Sequence, residues 1–167
     1  GEYIIDLAAD DILLHNTVLK QVATFQNTKF KNLGVVYGNL IEINENENYI
    51  CDYYTEKDFP QSGNIYEMVI SNSTKICSVS SMVKREVFEY IGYYNEDLYY
   101  EDLDLWVKAS RKYDFEYIPE ILVKKRVLPQ SLGAYFYKKK NNKTRQLHYS
   151  SLMILKNAYH LNLSLIH

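Results

Sequence analysis

Tyr3 to Leu7 is a short, mostly apolar run, the pattern of a strand in the interior of a sheet with neighbours on both sides. From Asn16 the apolar positions Val18, Leu19, Val22, Ala23 and Phe25 recur at helical spacing. They predict a helix that fades near Asn27-Thr28. Leu33 to Ile43 is rich in β-formers, with Gly38 marking a bulge or a close approach, and Asn44 to Asn48 supplies a polar turn into Tyr49 to Tyr53. The expectation is a hairpin.

Thr55 to Gly63 reads as a loop, Asn64 to Asn72 as a short helix and Ile76 to Met82 as an extended segment of small residues. Lys84 to Ile91 predicts a compact helix stopped by Gly92. A second helix is expected from Glu101 to about Lys112, burying Leu103, Trp106, Val107 and Ser110. Trp106 is expected in the core, since aromatics at helical spacing pack there. Two strands, Phe115 to Ile118 and Ile121 to Val127, are expected on either side of Pro119, whose missing amide donor suits a boundary. Leu147, Leu152, Ile154, Leu155 and Ala158 then mark an amphipathic helix from Lys143 to about His160. Strands alternating with helices place the chain in the α/β class, as a mixed sheet with flanking helices.

Composition narrows the functional classes. The 167 residues are 47% hydrophobic and 24% charged, enough to bury a core. A net charge of -2 offers no overall cationic field for phosphate neutralisation, so no nucleic-acid partner is expected. Local basic groups at Lys124-Lys125-Arg126 and at Lys138-Lys139-Lys140 with Lys143 and Arg145 could meet a diphosphate or an anionic membrane surface. Cys51 and Cys77 lack metal-site spacing and are expected as reduced core residues of a cytoplasmic protein. No apolar run approaches the roughly 20 residues that span a bilayer.

Two acidic pairs carry the candidate chemistry. Asp10-Asp11 closes the first apolar run, and Glu101-Asp102, followed by Asp104, opens the second long helix. Either pair alone has a structural explanation, because acids are favoured in a helix's first turn and after strands. Together they suggest a metal and a general base.

The matching segments are Gly1-Glu2-Tyr3-Ile4-Ile5 running into Leu7-Ala8-Ala9-Asp10-Asp11; Val35-Val36-Tyr37-Gly38-Asn39; Arg85-Glu86-Val87-Phe88 with Ile91-Gly92-Tyr93; Tyr100-Glu101-Asp102-Leu103-Asp104-Leu105-Trp106; and Tyr117-Ile118-Pro119-Glu120 with Leu122-Val123. In this order they resemble the C-terminal half of a family 2 glycosyltransferase of the GT-A fold, over residues 1 to about 133. The resemblance implies a metal- and acceptor-binding half at 1–133, with a helical extension at 134–167. It implies inverting transfer of a sugar from a nucleotide-diphosphate sugar to an acceptor hydroxyl, in polysaccharide or glycoconjugate synthesis. Asp10 would hold Mg²⁺ or Mn²⁺ on the donor diphosphate, Asp102 would be the general base, and Glu101 would orient the site. Arg126 would contribute to donor binding, Asp11 would cap the following helix, and Asp104 would be exposed or stabilise its own helix.

Three departures accompany the resemblance. Ala8 stands where the family's metal motif has its first Asp, and Arg126 is followed by Val127-Leu128 where members often carry a His. The family's nucleotide-binding half would precede Gly1, so the expectation is a fragment, inactive alone and able to self-associate through its exposed surface. The acceptor would be a saccharide or lipid-linked saccharide, and the protein would sit in the cytoplasm or peripherally at the inner membrane face. Competing readings are a non-catalytic binding or assembly module on the same fold and a metal-dependent phosphoryl-transfer or hydrolase domain. The latter would need phosphate-binding glycines or lysines around Asp10, and none are there.

Overall fold

The computed structural model describes residues 1–71, 76–129 and 142–163, with side chains over 145–159 in the last stretch. The expected boundary at 133/134, the end of the helix at Asn72 and the side chains of Lys138, Lys139, Lys140 and Lys143 lie outside the described residues. The strands are β1 (Tyr3–Ile5), β2 (Ile12–Leu13), β3 (Leu33–Ile43), β4 (Tyr49–Asp52), β5 (Ser81–Lys84) and β6 (Asp114–Arg126). The helices are α1 (Thr17–Asn27), α2 (Tyr66–Ser71), α3 (Arg85–Ile91), α4 (Glu101–Ala109) and α5 (Asn142–Leu163), with a 3₁₀ turn at Ser78–Ser80.

β3 organises the sheet. On one side it pairs in parallel with β6 along its length; on the other it pairs antiparallel with β5 near its start and with β4 near its end. Among the described residues the order is β1-β5-β3-β6-β2, with β4 beside β3, giving a mixed α/β sheet. Residues of β3 are buried from Leu33 to Leu40 because both faces are covered, which is why the run is almost continuously apolar. Val35 and Tyr37 point into a core closed by α2 to α5, through Val69, Val87, Phe88, Trp106, Ile154 and Ala158. Val36 and Leu40 point into a second core beneath α1, with Phe25, Met82, Leu122 and Val123.

Gly38 is the close approach its type suggested. A Cβ there would lie 2.3 Å from Leu122 Cδ1, and the β3–β6 register shifts at this point, Gly38 facing Ile118 and Asn39 facing Ile121. Pro119 and Glu120 form the bulge between those partners. The two strands expected around Pro119 are therefore one strand, β6, because a bulge accommodates a residue that cannot donate to the ladder. The β3–β4 hairpin forms as expected, and Gly92 ends α3 at φ 87°, its amide bonded to Phe88 O.

Among the described residues β1 pairs with β5 alone, which leaves its other edge open. α1 has the expected bounds, but it buries Thr17, Gln21 and Phe25 and leaves Leu19 70% exposed. The polar pair is inward because each finds a backbone partner: Thr17 Oγ1 donates to Leu122 O at 2.7 Å and Gln21 Nε2 to Ser80 O at 2.9 Å. Phe25 stacks on Tyr3 at 4.8 Å between ring centres, joining α1 to β1. Among the described residues no helix is long and apolar enough to cross a membrane.

Candidate functional site

Asp10 and Asp11 sit in the turn between β1 and β2, where the Asp11 amide donates to Ala8 O at 3.1 Å. The Asp10 side chain is exposed. Asp11 is half-buried, and its Oδ1 accepts the Arg126 amide at 2.7 Å. Burial raises the Asp11 carboxyl above the ordinary aspartate range and the Asp10 charge adds to this, while the Arg126 amide and the Lys125 and Arg126 charges oppose it. Asp11 was expected to cap α1. The residue before α1 is instead Asn16, in the left-handed region at φ 71° with no side-chain cap bond, because Asp11 is committed to β6.

Arg126 is occupied by the protein. Its Nε donates to Asp10 O at 3.0 Å, its Nη1 to Asn44 O at 3.2 Å and Glu45 O at 3.0 Å, and its Nη2 meets the Glu47 carboxylate at 3.2 Å. The guanidinium thus fastens the acidic turn to the β3–β4 turn. Only rearrangement of those bonds would let it bind a diphosphate directly.

Glu101 and Asp102 open α4. Glu101 is exposed; Asp102 is half-buried, and its Oδ1 accepts the Leu103 amide at 2.8 Å, satisfying one of the free donors of the helix's first turn. The Ser78 hydroxyl also bonds the Asp102 carboxylate. Burial is the largest influence on this carboxyl and the Glu101 charge the next, and against these bonds they still raise it to about 6. Asp102 therefore holds its proton to a higher pH than an ordinary aspartate does.

The 3₁₀ turn and the residue before it lie between the acidic pairs. Cys77 feels the charges of both Asp11 and Asp102, opposed by Lys125, and burial raises its thiol to about 11. Tyr94 closes the other side: its phenol shares a hydrogen bond with Asp6, just after β1, and it feels the charges of Asp102 and Glu101. Ser78, Tyr94 and Asp6 were not singled out from the sequence. Ser78 was hidden in a run of small residues, and the Tyr94–Asp6 contact joins segments that only the fold brings together.

Three other expectations resolve here. Trp106 is a core residue, its ring edge-on to Phe115 at 5.9 Å. Asp104 is buried, not exposed, and its charge is matched by Lys108 one turn later at 2.5 Å. Cys77 is buried, but Cys51 is exposed on β4, whose residues all face solvent.

Among the described residues no three His, Cys, Asp or Glu side chains gather as a metal cage. Asp10 makes no side-chain hydrogen bond among the described residues, so its carboxylate is available to a divalent cation coordinated mainly by phosphate and water, a common arrangement for Mg²⁺. Two open cavities of about 520 and 510 Å³ flank α2, both lined by Gln61, Glu67 and Met68 and by none of the four acids. Comparison with protein families and with curated proteins returned no match for this chain.

Proposed function

We propose that the chain serves inverting glycosyl transfer of the GT-A type, from a nucleotide-diphosphate sugar to an acceptor hydroxyl in polysaccharide or glycoconjugate synthesis. The observation that carries this reading is Asp102: half-buried, held by Ser78 and the Leu103 amide, and raised to about 6. Such a group is largely ionised at neutral pH yet basic enough to accept a proton as a hydroxyl attacks.

In the proposed step Asp102 takes the acceptor's hydroxyl proton as that oxygen bonds to the anomeric carbon. The carbon's bond to the diphosphate breaks on the opposite face, the electron pair leaves with the nucleoside diphosphate, and the configuration inverts. Glu101 keeps the Asp102 carboxyl basic through its charge. Arg126 holds the turn that carries Asp10, so that the Asp10 carboxylate faces solvent where a cation–diphosphate pair could dock. Bound Mg²⁺ or Mn²⁺ would supply neutralisation of the leaving diphosphate's charge, with Asp10 as its protein ligand.

The test is nucleoside diphosphate release by the natural protein, across a panel of nucleotide-diphosphate sugars and saccharide acceptors with Mn²⁺. Acceptor-dependent release that Asp102→Asn suppresses is expected. Equal release by the variant, or no release and no nucleotide binding with any donor, would overturn the reading.

A further inference from the structure

Every one of the 21 Asp and Glu residues lies at or before Glu120. Residues 130–167 contain Lys138, Lys139, Lys140, Lys143, Arg145 and Lys156 and no acid at all, so a purely cationic segment follows an acidic body. α5 belongs to that segment. One of its faces, with Ser150, Ile154 and Ala158, is buried against the body. Half a turn away, Arg145, Tyr149, Leu152, Lys156 and Tyr159 recur at spacings of three and four and form one stripe along the opposite side. Tyr149 is 63% exposed, Leu152 67% and Tyr159 63%.

We propose that this outer stripe of α5 docks the protein on an anionic lipid surface. Charge complementarity selects the occupant: the helix offers cations and no acid, and an anionic bilayer presents a continuous negative plane that needs no matched pattern. The side chains between the cations suit the same plane. Tyr149 settles at headgroup depth with ring inward and hydroxyl in water, Leu152 enters the acyl boundary, and the Arg145 and Lys156 stems lie along the apolar surface with their charges at the phosphates. Because Ile154 and Ala158 stay in the protein core, the helix can lie on a bilayer without leaving the body. An acidic protein partner, including the acidic body of a second copy, would gain from the cations but would not need the exposed Tyr149 and Leu152 between them.

The experiment is co-sedimentation of the full chain with vesicles of neutral phosphatidylcholine alone and with phosphatidylglycerol added. Uptake by the mixed vesicles only, weakening with salt, is expected. Arg145→Gln with Lys156→Gln should reduce partitioning by roughly 30-fold, at about fivefold per cation. Leu152→Gln, at an exposed site that leaves the fold intact, should also reduce it. No uptake by mixed vesicles, equal uptake by both kinds, or full retention by Leu152→Gln would overturn the proposal. So would low-salt self-association, seen by light scattering, in place of vesicle binding.

Discussion

Asp10-Asp11 and Glu101-Asp102 are the same sequence feature placed twice, each an exposed acid beside a half-buried one. Their surroundings differ. Asp11 accepts a β6 amide and lies near the cations Lys125 and Arg126, so the half-buried member of the first pair is a structural tie, while Asp10 is exposed. In the second pair the half-buried Asp102 accepts from Ser78 and the Leu103 amide, yet burial, with the Glu101 charge next, raises its carboxyl to about 6. Depth comes first at both half-buried acids, and the cations Lys125 and Arg126, which oppose the rise at Asp11, have no counterpart among the influences on Asp102.

The sharpest way to break this contrast is to neutralise each half-buried acid in turn. In the natural protein Asp102→Asn should lower transferase turnover by roughly 10²-fold or more while donor binding persists, as expected for a lost general base. Turnover within a few-fold of the parent would move Asp102 to the structural side.

The same variant should separate the pairs by stability. A carboxyl raised from 3.8 to about 6 keeps its proton in the folded chain where the unfolded chain has lost it. Its favourable contribution is therefore complete below pH 4 and is lost as pH rises through about 6. Above that pH the folded protein carries an ionised, half-buried Asp102 at a cost of up to about 2–3 kcal/mol, partly offset in any comparison by the hydrogen bonds Asn would lose. Asp102→Asn should thus melt higher than the parent at pH 8, with the gain shrinking toward pH 4. A lower melting temperature at every pH would contradict the account.

At the first pair, Asp11→Ala leaves the Arg126 amide without its acceptor and should cost about 1–2 kcal/mol in denaturant unfolding. The smallest effect belongs to Asp10→Asn. Stability should stay within about 0.5 kcal/mol, since the side chain is exposed, while Mn²⁺-dependent donor binding weakens.

What the sequence disclosed followed from periodicity and from residues with few conformational options. β3 was readable because a strand covered on both faces must be apolar throughout, and Gly38 and Gly92 because each sits where a Cβ would clash or φ is positive. α1 was placed correctly in the chain, but the polar residues it buries were not legible. Periodicity counts apolar side chains, whereas Thr17 and Gln21 are buried by hydrogen bonds to backbone carbonyls distant in sequence. At the site, Asp10 and Asp102 stood out as acids at element ends. Ser78 and the Tyr94–Asp6 bond, which complete the surroundings of Asp102, exist only through tertiary contact. The Arg126 clamp was equally hidden, because its acceptors are mostly backbone carbonyls, which no side-chain pattern records.

The direct test of the central claim is a carbon-detected NMR titration of the aspartate carboxyls in this chain, with the Asp102 resonance assigned by its loss in Asp102→Asn. The account predicts an Asp102 inflection near pH 6, moving down when Glu101→Gln removes the neighbouring charge. An inflection near the ordinary aspartate value of about 3.9, unmoved by Glu101→Gln, would contradict it.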